Sequence, residues 1–95
     1  MRLGTHPALL KDISEGGLAC QVQAPMEEMT RVQIDLELPG GTRAHTVEGA
    51  IVYCAPSGDA DKKGYDLGIL FLAPPEDTVG AIRSFVQQRL SVEQG

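Results

Sequence analysis

The chain has no tryptophan, two cysteines, two histidines, and only two tyrosines and two phenylalanines in 95 residues, and each shortage removes a class of function. Cys20 and Cys54 do not stand in CxxC spacing, and a single pair makes no disulfide framework. Both fall in strand-like runs, where a thiol serves as a small core hydrophobe. With His6 and His45 as the only imidazoles there is no HExxH and no four-ligand zinc spacing. His45 starts a strand beside a turn, where an imidazole is expected in solvent rather than paired with a thiol. Asp59 and Asp61 supply two carboxylates without the remaining pattern of a calcium loop, and read as a solvated segment. No phosphate-cradling glycine-lysine loop occurs and no nucleophile stands beside a base. No catalytic residue and no metal ligand is therefore expected, and the chain reads as a non-enzyme.

Long apolar runs are missing as well. Nothing approaches the roughly 20 residues that span a bilayer, and no charged start leads into a short apolar stretch as in a secretory signal. No membrane insertion and a cytoplasmic location are the expectations. Positive charge is scarce: eight Lys and Arg against thirteen Asp and Glu leave a net charge of −5. Binding to a nucleic-acid polymer needs a clustered basic surface and is excluded on that ground. A small phosphate-bearing ligand is disfavoured by the same field, though two or three well-placed guanidinium groups can outweigh it at one spot.

What remains is a chain for one domain over residues 1–95, with 42% hydrophobic residues, enough apolar content to fold. Eleven glycines and six prolines sit between short apolar runs, which favours strands and turns over a helical bundle. Strands are expected at about 8–13, 18–23, 31–38, 44–54 and 65–72. Period-two alternation is cleanest where Val32, Ile34, Leu36 and Leu38 oppose Arg31, Gln33, Asp35 and Glu37. Pro39, Gly40 and Gly41 make a tight turn. Gly49, mid-strand, marks a bulge or a close backbone approach. In the last strand Tyr65, Leu67, Ile69 and Phe71 share one face, with Gly68 opposite. A helix at about 75–90 begins with proline and carboxylates in its first turn and carries Val79, Ile82, Val86 and Leu90 as an apolar stripe, with Arg83 and Arg89 toward its end. This order predicts an all-β fold: a small, strongly curved antiparallel barrel of five to six strands, one opening capped by the C-terminal helix.

Asp12-Ile13-Ser14-Glu15-Gly16-Gly17 is a polar, glycine-ended turn between two apolar segments, and it resembles the DxSxxG signature of PilZ domains. Further features match in order: the alternating strand that ends in a proline-glycine turn, the long strand with Gly49 and Tyr53, and the segment from Tyr65 to Phe71 ahead of a terminal helix. The resemblance spans about residues 8–90. It implies a split-barrel fold and a place in bacterial cyclic di-GMP signalling, where N-terminal arginines and the DxSxxG turn together grip the nucleotide. Asp12, Ser14 and Gly17 are the matching positions. A carboxylate accepts hydrogen bonds from a guanine edge, a serine hydroxyl donates to a phosphate oxygen, and glycine permits close backbone approach. Asp12 and Ser14 are equally suited to bonding their own turn backbone without any ligand.

The family's RxxxR motif occurs nowhere in the chain. Arg2 and Lys11 are the only cations near the turn, at the wrong spacing, and a lysine lacks the planar fork of arginine. Eleven residues precede Asp12, which leaves no room for the strand that PilZ barrels carry between the arginines and the turn. Either an exposed strand edge pairs with a second copy or a partner, or Met1 marks a cut and both arginines and strand lie upstream. Three functions follow: a PilZ adaptor acting by protein contact in pilus, motility or secretion machinery; a cyclic di-GMP receptor whose arginines lie upstream or come from a partner; or a generic small-barrel interaction domain.

Overall fold

The computed structural model describes residues 1–38, 40, 43–58 and 64–94, with side chains through residue 88. Seven strands precede one helix: β1 (Arg2–Leu3), β2 (His6–Pro7), β3 (Leu9–Ile13), β4 (Gly17–Val22), β5 (Arg31–Leu36), β6 (His45–Pro56), β7 (Tyr65–Leu72) and α1 (Glu76–Gln94). The strands form one antiparallel sheet in the order β2-β1-β5-β6-β7-β4-β3, curled into a half-barrel with the helix at its C-terminal end. The expected all-β architecture is present. It gains two strands over the expectation, because residues ahead of Ala8 make a miniature hairpin in which Arg2 lies opposite Pro7 and, on its other side, Asp35. Gly4 supplies that hairpin's turn at φ +60° and donates its N–H to the Gln33 carbonyl at 2.8 Å. Two residues of β1 thus cover part of the β5 edge. The helix runs past residue 90 because no glycine or proline interrupts positions 81–94. Pro39 and Gly41 of the expected turn, Asp59 and Asp61 of the acidic loop, and the side chains of Arg89 and Leu90 lie outside the described residues.

Alternation decides which face each strand buries. Leu18, Cys20 and Val22 of β4, Ile34 and Leu36 of β5, and Leu67 and Ile69 of β7 point inward with Ile13, Ile51 and Leu3. Burying each such side chain stabilises the fold by roughly 1.5–3 kcal/mol. Cys20 and Cys54 both oppose Leu67, from β4 and β6 on either side of it. Two strand spacings, about 9–10 Å, keep the thiols beyond disulfide reach, and both are free. Gly49 is the expected close approach, since a Cβ there would stand 2.9 Å from Ile34 Cδ1. The bulge falls three residues later, at Val52, where the register with β7 shifts between Ile51 and Tyr53. It inverts the phase of β6, so Val52 and Tyr53 are both exposed and Cys54 turns inward.

Helix α1 closes the inner side of the sheet through Thr78 and Ile82, both buried, with Ala81, Phe85 and Val86 packed partly against the core. Glu76 and Asp77 occupy its first turn, where carboxylates meet the positive end of the helix dipole, and Arg43 donates to Asp77 at 2.7 Å. His45 departs from expectation. It is 7% exposed, and its Nδ1 is hydrogen-bonded to the buried Thr78 hydroxyl at 3.0 Å. The helix, arriving from far along the chain, roofs the start of β6 and takes His45 out of solvent. No described helix is long and apolar enough to cross a membrane.

Candidate functional site

The turn between β3 and β4 is held by its own backbone. The Ser14 N–H donates to the Gly17 carbonyl at 2.9 Å and the Ser14 hydroxyl to the same oxygen at 3.4 Å, while one Asp12 carboxylate oxygen accepts the Ile13 N–H at 2.9 Å. Both side chains therefore serve the turn, and both remain exposed on the outer surface. The next strand over is locked in as well, since the Phe71 N–H donates to the Gly16 carbonyl at 2.9 Å. Gly17 lies directly opposite Leu70, and a Cβ at residue 17 would overlap the Ile69 carbonyl. The last glycine of the signature is thus demanded by the approach of β4 to β7. Glu15, at the tip of the turn, is paired with Arg83 of α1, which ties the turn to the helix.

Asp12, Ser14 and Gly17 line one open cleft of about 340 Å³, together with Val52, Gly68 and Leu70 among others. The two candidate cations take no part in it. Lys11 is the bulged residue of β3, between Leu10 and Asp12 in register, and its Nζ reaches across β4 to Asp66 at 3.5 Å. It lines a neighbouring groove instead, with Met1, Leu9 and Phe85. Arg2 is exposed on β1, near the other end of the strand order, and lines neither space. Among the described residues, Asp12 is the single charged one around the cleft. Val52, Gly68 and Leu70 escaped the sequence reading. Leu70 was legible as an apolar residue out of phase with Leu67 and Ile69, whereas Val52 is exposed only because of a bulge that no turn residue announces.

A second cleft of about 430 Å³ opens between α1 and the start of β6, lined by Leu38, Arg43, His45, Asp77, Ser84 and Phe85 among others. Among the described residues, no three His, Cys, Asp or Glu side chains gather as a metal site would require. The Cys20 thiol is pushed up to about 11 by burial first and by the Asp66 charge second. A buried thiol of this kind is a core residue and not a nucleophile.

No curated protein and no solved structure matches the chain. The family model for the PilZ domain matches residues 2–88, which takes in the Asp12–Gly17 turn, all seven strands and most of the helix. With the curled antiparallel sheet, the turn at its expected place and the terminal helix, this match shows that the chain belongs to the PilZ domain family, a family of cyclic di-GMP signalling modules.

Proposed function

We propose that this domain acts within cyclic di-GMP signalling as a non-enzymatic module that works by protein contact, and that its own described residues do not hold the nucleotide. The observation that carries this reading is the charge of the cleft at the Asp12–Gly17 turn, where Asp12 is the only charged lining residue among those described. Cyclic di-GMP brings two phosphodiester charges. Tight capture of such a dianion calls for guanidinium groups in bidentate contact, and the net charge of −5 adds a repulsive background. Contact through a face is favoured over strand addition at an edge. Edge strand β2 is two residues long and ends in Pro7, and edge strand β3 is bulged at Lys11, both features that discourage a further strand.

A second reading draws on the exposure of Asp12 and Ser14 at the cleft: guanidinium groups supplied by a preceding segment or a partner complete a nucleotide site around them. Titration calorimetry with cyclic di-GMP separates the two. The protein-contact reading expects no saturable heat at micromolar concentrations. Binding at micromolar strength that is lost in Asp12→Ala or Ser14→Ala overturns it. Binding that emerges only when an arginine-bearing segment is joined ahead of Met1 selects the second reading.

A further inference from the structure

Building on the protein-contact reading, we propose that the outer face of β4, β7 and β6 docks a cationic amphipathic segment of a partner protein. An arginine or lysine of that segment pairs with Asp12, and its apolar side chains lie over Leu70, Val52 and Tyr53. Register sets the shape of this face. Asp12, Ala19, Gly68 and Tyr53 stand side by side across β3, β4, β7 and β6, a line about 14 Å long at the usual strand spacing. Ala19 is small and the Tyr53 ring lies over Gly68, so the line is a shallow trough floored by Ala19 and edged by the ring. Leu70 stands beside it, between Gly17 and Ala50.

Apolar exposure concentrates there. Leu70 is 53% exposed, Tyr53 45% and Val52 37%, three of the five large hydrophobic side chains that the described residues leave in solvent. Met29 is another, at 78%. Its backbone is held at φ +65°, and its N–H donates to the carbonyl of Ile51, the neighbour of Val52. A non-glycine residue held left-handed costs on the order of 1 kcal/mol, and here it is held where the chain pairs with β6 at Ile51, with its adaptable thioether in solvent.

Charge selects the occupant. The side-chain ion pairs of the described residues join Lys11 to Asp66, Arg43 to Asp77 and Arg83 to Glu15. None of them engages Asp12, whose carboxylate accepts the Ile13 N–H through one oxygen and carries its charge without a cationic partner among the described residues, at the end of an apolar trough. An acidic partner or an anionic lipid surface is repelled by it and by the net charge of −5. A second copy brings the same charge and the same Asp12. A cationic segment with an apolar side satisfies both features at once.

The test uses three synthetic peptides of equal length: one amphipathic with leucine and arginine, one with glutamate in place of arginine, and one with serine in place of leucine. Amide shifts of the isotope-labelled protein are followed by NMR. The leucine-arginine peptide is expected to move Ala19, Val52, Gly68 and Leu70 saturably, with at least tenfold weaker binding in Asp12→Asn and in Leu70→Ser. Both substitutions are at exposed positions, so each variant should retain the native spectrum. No saturable shift, shifts confined elsewhere, equal binding of the glutamate or serine peptide, or indifference to both variants overturns the proposal. So does concentration-dependent dimerisation through the same amides, which assigns the face to a second copy. Absence of both peptide and cyclic di-GMP binding removes this inference alone, whereas cyclic di-GMP binding lost in Asp12→Ala removes the reading beneath it.

Discussion

The ring of Tyr53 fills the space that a side chain at residue 68 would need: the two residues oppose each other across β6 and β7, and a Cβ built on Gly68 overlaps the ring. An aromatic laid over a cross-strand glycine shields backbone hydrogen bonds that would otherwise face water. The arrangement lies on the side of the outer trough away from Asp12, beside Leu70, so it shapes the surface that a partner meets.

Gly68→Ala sets this new methyl against the side of an exposed ring, which is free to swing outward. The loss of the ring contact is offset by the lower unfolded-state entropy of alanine, worth roughly 0.5–1 kcal/mol. A net stability change within about 1 kcal/mol is expected in urea unfolding. The tyrosine ring resonances should nevertheless shift strongly. Unchanged ring resonances would place Tyr53 away from Gly68.

Gly17→Ala is the contrasting case, because its methyl meets the Ile69 carbonyl, an atom fixed in the sheet. Relief requires parting β4 from β7 where the Phe71 N–H also bonds the Gly16 carbonyl. Overpacking of this kind costs about 2–3 kcal/mol, several times the expected effect at residue 68. Urea denaturation of the two variants side by side checks the ranking. Equal stability would mean that the glycine is kept for something other than strand approach.

Most of the architecture was legible because alternation is a local signal. Val32 to Leu38 and Leu67 to Ile69 announce their inward faces two residues at a time, and proline with Glu76 and Asp77 announces the helix. The candidate site was legible only in its polar half. Asp12, Ser14 and Gly17 belong to a motif, whereas their neighbours Val52, Gly68 and Leu70 come from strands distant in sequence. The tertiary register brings those neighbours in, and a bulge at Val52 rotates one of them outward. His45 was misread for a related reason: the residue that buries it, Thr78, is contributed by a helix that local pattern cannot orient. The miniature hairpin of Arg2–Leu3 and His6–Pro7 was unreadable because two-residue strands have no period.

The buried pair of His45 and Thr78 predicts an asymmetry between substitutions at one site. Thr78→Val keeps the shape and removes the hydroxyl, which leaves the His45 Nδ1 without its partner and costs about 1–3 kcal/mol. Thr78→Ser keeps the bond and should lose about 1 kcal/mol or less. Adding His45→Leu to Thr78→Val should destabilise by less than the sum of the single effects. Strict additivity in thermal or urea unfolding would show that the hydrogen bond contributes nothing.

Cys20 gives the fold a signature at alkaline pH. Its thiol ionises at about 11 in the folded protein against 9.0 in the ordinary case, because a thiolate there would be desolvated among Leu18, Val22 and Leu67 and repelled by Asp66. The folded state therefore keeps a proton that the unfolded chain releases. The corresponding stability is fully present below pH 9 and is lost as pH climbs from 9 to 11, by up to about 2 kcal/mol. Other groups titrate in that window too, so the informative quantity is the difference between wild type and Cys20→Ala, which has no thiol to titrate at that position. That difference should be constant below pH 9 and shrink above it. Thiol labelling at pH 8 gives an independent check, since half-buried Cys54 should react in the native protein and Cys20 only on unfolding. A stability difference that stays flat to pH 11, with both thiols labelled together, would mean that Cys20 reaches solvent from the native state and that β4 and β7 open far more readily than their shared core implies.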